Sequence, residues 1–194
     1  MRSIKILGVA AVAAMALMAF AGTPSATTLT SPAGTVYKEA VKATAESSLI
    51  LQASFFEVTC TESEVKGAPG AQNDTTTVTI PIAILKFGGC NTLVRVLANG
   101  SLEIHVIGAG PNGTVTGMNT KVTFEALGFS CVYGTAAGGT DLGILTGSGG
   151  LGGATATMDI NANLPRIEGG FPCPANALWE GKYKITEPDY LDIS

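Results

Sequence analysis

The sequence predicts an all-β fold, an antiparallel β-sandwich of Greek-key or jelly-roll-like type stapled by two disulfides. Three observations carry that expectation. Apolar and polar residues alternate with period two in segment after segment, as in strands with one buried and one wet face. Gly, Asn and Pro punctuate these segments at short intervals. Four cysteines, an even count, follow an N-terminal stretch that reads as an export signal.

That stretch is residues 1–21. Arg2 and Lys5 supply a basic n-region, Ile6 to Phe20 an apolar h-region, and Ala19-Phe20-Ala21 a small-residue cleavage site before Gly22. Cleavage there is expected to leave 22–194 as a single secreted domain, extracellular or, in a Gram-negative bacterium, periplasmic. The apolar run is short for a membrane span and ends in Gly, Thr, Pro and Ser, so no transmembrane anchor is expected.

The elements follow in order. Val36–Glu46 reads either as a helix, with Lys38, Glu39, Lys42 and Glu46 able to pair, or as a strand through Val41–Ala45. Phe56, Val58 and Cys60 share one parity of a strand, and Lys66–Thr76, with Gly67, Pro69, Gly70, Asn73 and Asp74, reads as an exposed loop. In Thr77–Lys86 the residues Val78, Ile80, Ile82 and Ile84 fall on one face. Pro81 cannot donate a ladder hydrogen bond, so that strand is expected at an edge or with a bulge. Gly88-Gly89 marks a turn, and Asn99-Gly100 a two-residue hairpin loop of type I′. Leu102, Ile104 and Val106 share a face opposite Glu103 and His105, and Pro111-Asn112-Gly113 signals the next turn. Val122, Phe124 and Ala126 alternate with Lys121, Thr123 and Glu125; Phe129, Cys131 and Tyr133 share one parity; Gly138-Gly139 is a further turn. Ser148–Gly153 is expected to be mobile, or pressed against something that needs bare backbone. Ala154, Ala156, Met158 and Ile160, then Trp179, Tyr183 and Ile185, give the last two inward faces.

Composition narrows the function. Without Arg2 and Lys5 the chain keeps nine basic residues against fifteen acidic ones, which argues against a nucleic-acid partner or an anionic membrane surface. Charged residues are 13% of the chain, about half the usual share, so Thr, Ser, Asn and Gly must supply the polar surface. For the cysteines three pairings exist, and the sequential one is expected: Cys60 with Cys90, and Cys131 with Cys173. Each bridge is worth roughly 3.5–4 kcal/mol on the chain-entropy model. The inward parity of Cys60 and Cys131 suits bridges that join two sheets. With no Cys-x-x-Cys and with His105 as the sole histidine, no metal site and no cofactor are expected.

Chemistry-bearing motifs read blandly. His105 lacks a Gly-x-Ser-x-Gly elbow to serve and shares a wet strand face with Glu103. Glu57, Glu62 and Glu64 around Cys60, and Asp189 and Asp192 at the end, read as solvated surface, and no catalytic residue is expected. Gly108-Ala109-Gly110-Pro111-Asn112-Gly113 mimics a dinucleotide fingerprint without a following helix. Asn73-Asp74-Thr75, Asn99-Gly100-Ser101 and Asn112-Gly113-Thr114 match the glycosylation sequon, idle in a bacterium. Trp179, the sole tryptophan, is expected as a core anchor; the sharper reading makes it a ligand contact stacking on a sugar ring.

Val58-Thr59-Cys60, Gly89-Cys90, Gly100-Ser101-Leu102-Glu103-Ile104 and Trp179-Glu180-Gly181-Lys182-Tyr183 before Pro188 resemble uncharacterised bacterial secreted β-domain proteins. The chain also resembles, more faintly, the alkane-oxidation activator protein family, which has Leu-Pro-Trp where this chain has Leu164-Pro165-Arg166. The resemblance implies a secreted β domain and transfers no functional residue. The expected function is therefore a secreted, non-catalytic, surface-associated structural or adhesive protein, its partners cell-surface or extracellular-matrix components. The rival expectation is an extracellular ligand-binding module for a carbohydrate or an apolar small molecule.

Overall fold

Among the described residues period-two alternation becomes fourteen strands: β1 (Leu29–Thr30), β2 (Val41–Ala45), β3 (Leu49–Ala53), β4 (Phe56–Gly67), β5 (Val78–Cys90), β6 (Val94–Ala98), β7 (Ser101–Val106), β8 (Gly113–Met118), β9 (Lys121–Ala126), β10 (Phe129–Gly134), β11 (Thr140–Thr146), β12 (Thr157–Glu168), β13 (Asn176–Glu187) and β14 (Asp192–Ile193). The structure, a computed structural model, describes residues 26–31, 33–54, 56–72, 76–126, 128–150 and 152–194. The expected leader and the sequon at Asn73 lie outside the described residues.

All ladders are antiparallel, as expected, but they do not form two facing sheets. β4, β5, β7, β8, β11, β12 and β13 follow one another around a ring. The eighth position, between β13 and β4, is shared end to end by β2 and β3, each of which pairs with both neighbours. The ring closes into an eight-position barrel, which corrects the sandwich. Closure also removes most sheet edges. Strand alternation is the same in either architecture, so only the long-range pairing of β13 with β2 and β3 decides between them.

β6, β9 and β10 form a side sheet hung from the end of β12, where Val132 and Tyr133 pair with Glu168 and Arg166. Its inner face turns Val122, Phe124, Cys131 and Tyr133 toward the core and lids one end of the barrel. At the other end Leu29, Leu191 and Ile193 form a plug, each at most 1% exposed. There the segments flanking β1 and β14 are stitched together: Thr28 and Ser194 exchange two backbone hydrogen bonds of 2.6 and 2.9 Å. The Thr27 hydroxyl donates to the Thr76 carbonyl at 2.6 Å and accepts from the Val106 N–H at 3.1 Å.

Val78, Ile80, Ile82, Ile104, Val115, Leu145, Met158, Ile160, Tyr183 and Ile185 fill the core, while Lys, Glu and Asp face out. That is the inverse of a membrane-spanning barrel, whose lumen is polar and whose outside is apolar. Among the described residues no helix is long and apolar enough to cross a membrane.

Four local expectations resolve. Val36–Glu46 takes the strand alternative, as β2. Pro81 comes with a bulge: Ile84 opposes Lys66 but Ile82 opposes Gly67, so Ala83 is the extra residue and the buried parity of β5 flips from Ile82 to Leu85. Asn99-Gly100 is no hairpin turn, because β6 pairs with β9 and β7 with β5 and β8; it carries the chain from side sheet to barrel. Gly88-Gly89 lies within β5 rather than in a turn.

Candidate functional site

The residues singled out by sequence are spread over the barrel. Cys60 bonds Cys90 directly opposite on the neighbouring strand, with Cα atoms 3.9 Å apart. Cys131 of β10 bonds Cys173 in the β12–β13 connection, with Cα atoms 5.7 Å apart. The pairing is the sequential one, but neither bridge joins two sandwich sheets: one staples adjacent strands, the other ties the side sheet to the barrel. Two disulfides suit an oxidising, extracytoplasmic environment.

Trp179 points inward at the lidded mouth and is half-buried, edge-on to Phe87 with ring centroids 6.4 Å apart. With Leu51, Leu85, Phe124 and Leu164 it lines an apolar void of about 30 Å³. Two further apolar voids in the barrel measure about 40 and 20 Å³. Each is little more than one water in size, so the interior is packed rather than a chamber.

His105 is exposed, its Nδ1 donating to the Thr76 carbonyl at 2.6 Å. The three glutamates around Cys60 make different contacts. Glu57 accepts from the Thr59 hydroxyl at 3.4 Å, Glu64 pairs with Lys42 at 3.7 Å, and Glu62 lies against Gly88. Asp189 is exposed. Asp192 accepts from the N–H groups of Gly149 and Gly150 at 2.7 and 2.9 Å. The described part of the Gly-rich segment is thus pressed against the C-terminal strand, the second of its two alternatives. Asn99 donates to the Ala83 carbonyl at 2.9 Å, and Asn112 accepts from the Gly147 N–H at 3.2 Å. Among the described residues no group of three or more His, Cys, Asp and Glu could hold a metal ion.

A slot in the barrel wall escaped the sequence reading. It has a volume of about 380 Å³ and is lined by Thr44 and Ala45 of β2, Thr61, Glu62, Ser63 and Glu64 of β4, and Lys86, Phe87 and Gly88 of β5. Three departures from regular sheet coincide there. Glu46–Ser48, between β2 and β3, swing out to solvent, so β4 residues 61–63 have no strand partner on that side. The alternation of β4 breaks at Thr61 and Glu62, which both face solvent. Opposite them, Gly89 and Gly88 leave bare backbone over which these side chains lie. A Cβ on Gly89 would fall 2.0 Å from the Thr61 hydroxyl oxygen, and one on Gly88 would fall 3.0 Å from Glu62 Oε2. The slot therefore cuts into the wall: residues of outward parity (Thr44, Glu64, Lys86) and inward parity (Ala45, Ser63, Phe87) line the same opening.

Its floor is fixed from behind. The Tyr183 hydroxyl donates to Ser63 Oγ at 3.0 Å, and Ser63 Oγ–H donates to the Lys86 carbonyl at 2.7 Å. Burial holds the Tyr183 phenol far above its ordinary range, so it stays protonated and serves as a donor. Glu62 and Lys86 carry no ion pair among the described residues. The Cys60–Cys90 bridge ties together the sequence-level signals for this site, Glu62 and Glu64 on one strand and Gly88-Gly89 on the other. Counting back from it sets Gly89 against Thr61 and Gly88 against Glu62. No family model matches the chain, no curated protein matches it, and no solved structure matches its fold.

Proposed function

We propose that the chain is a secreted, non-catalytic domain acting as a structural or adhesive unit at an extracytoplasmic surface. The observation that carries this reading is the filled barrel, lidded at one end, plugged at the other and stapled twice. Such a body is rigid and keeps its shape without bound cargo. The dispersal of His105, Glu57, Glu64 and Asp192 into separate structural contacts supports the non-catalytic part. The rival module for an apolar molecule would need a chamber, and the voids of about 20–40 Å³ argue against one.

The test is deletion of the gene followed by attachment assays, with the purified mature protein assayed in parallel on ester, glycoside and peptide substrates. Reduced attachment without hydrolysis is the expected result. Hydrolysis that disappears in His105→Ala or Glu62→Gln would overturn the reading.

A further inference from the structure

We propose that the wall slot beside Thr61 and Glu62 binds one uncharged pyranose residue of a glycan. This gives the adhesive reading its ligand and rests on that reading only for its biological setting. Size is the first argument. About 380 Å³ lies in the range of ligand clefts, about 300–1,000 Å³, whereas each interior void is roughly a tenth of that.

Construction is the second argument. A barrel wall gains hydrogen bonds by closing, yet here a three-residue excursion and a break in alternation coincide to keep it open, and two consecutive glycines give Thr61 and Glu62 room to lie over β5. Irregularities of this kind concentrate where a strand must re-aim side chains.

Chemistry is the third. Glu64 is paired with Lys42, which lies outside the lining, so the charged groups left to the slot are Glu62 and Lys86, one of each sign. What it offers is a mixed set of polar groups: the Thr44 and Thr61 hydroxyls, the Glu62 carboxylate as acceptor and the Lys86 ammonium as donor. A sugar ring presents hydroxyls that both donate and accept, and an apolar C–H face. Phe87 supplies an aromatic wall for that face. The Tyr183–Ser63–Lys86 chain of hydrogen bonds holds the floor in place before binding, which lowers the ordering cost.

Phe87 also packs on Trp179, so the sole indole reports on the slot without a label. The experiment titrates the mature protein with the methyl glycosides of glucose, galactose and mannose and with N-acetylglucosamine, following Trp179 emission and backbone amide NMR shifts. At least one probe is expected to saturate with a Kd of about 1 mM, a modest affinity suited to a single ring. The shifts should cluster at Thr61–Ser63 and Lys86–Gly89. Glu62→Gln should weaken binding about tenfold with an unchanged urea midpoint, and Thr44→Phe, which fills the slot from its outer lip, should abolish it. Absence of a saturable response to all four probes, shifts mapping elsewhere, or wild-type affinity in Glu62→Gln would each overturn the proposal. Tighter binding of glucosamine or galacturonate than of any neutral probe would overturn the uncharged assignment. The two readings fail separately. Attachment that depends on the protein but is unchanged in Glu62→Gln defeats the slot alone; attachment indifferent to the protein defeats the adhesive reading and leaves the titration to decide the slot.

Discussion

Trp179 offers the sharpest test of how the barrel mouth is built. Trp179→Ala removes a half-buried indole that packs edge-on to Phe87 and borders a void of about 30 Å³. Truncating a buried Trp to Ala costs about 3–5 kcal/mol, and an edge-on ring pair accounts for roughly 1 kcal/mol of that. Because the indole is only half-buried, the lower end applies, ~3 kcal/mol. Trp179→Phe keeps a ring but enlarges the void by roughly 40 Å³, which at about 24 cal/mol per Å³ amounts to ~1 kcal/mol. Urea unfolding followed by far-UV circular dichroism should show both losses as a lower midpoint at constant slope. The folded wild type should emit to the blue of free tryptophan and resist quenching by acrylamide. A loss below about 1 kcal/mol for the Ala variant, together with red-shifted and freely quenched emission, would refute the packing argument.

Other outcomes follow from the same structure. Replacing Cys131 and Cys173 together by Ala should cost ~4 kcal/mol, and replacing Cys60 and Cys90 ~3.6 kcal/mol, from closed loops of 42 and 30 residues; urea unfolding of the two double variants measures both. The Tyr183 phenol titrates near 10.0 in the unfolded chain and well above that when folded. Its contribution to stability is therefore complete below about pH 10 and falls as pH rises beyond it, since only the unfolded state then releases the proton. Tyr183→Phe should flatten this alkaline loss, read as unfolding midpoints across about pH 9–11. Asp192→Ala should speed hydrogen exchange at the Gly149 and Gly150 amides and cost about 1–2 kcal/mol.

Much of the strand inventory was legible in the sequence. The inward faces of Leu102–Val106, Ala156–Ile160 and Trp179–Ile185 follow from alternation alone, because a strand with one buried face has little freedom. Phe129 misleads: its parity is inward, but it sits beside the β9–β10 turn and is exposed. Closure was not legible, since it depends on β13 pairing with residues about 130 positions earlier in the chain, a choice that alternation does not encode. Asn99-Gly100 has the composition of a hairpin turn, yet tertiary pairing sends its flanking strands to different sheets. The slot stayed hidden for a related reason. Gly88-Gly89 reads as punctuation until the disulfide sets it opposite Thr61 and Glu62, whose side chains need the bare backbone to lie over β5.

The two ends of the barrel are secured by different bonds. Both sulfur bridges belong to the lidded end, where Cys60 borders the mouth and Cys131 anchors the side sheet. Among the described residues the plugged end has no disulfide; the packing of Leu29, Leu191 and Ile193 and the hydrogen bonds of Thr27, Gln72, Ser148 and Asp192 hold it. A thiol reductant and a chaotrope therefore act first on opposite poles. Under mild reduction the lid is expected to loosen while β1 and β14 stay seated. Under mild urea without reductant the order reverses, and β1 and β14 fray while the lid holds. Limited proteolysis in the two media should then give two distinct first fragments, a fingerprint of a body whose weak point is chosen by its surroundings.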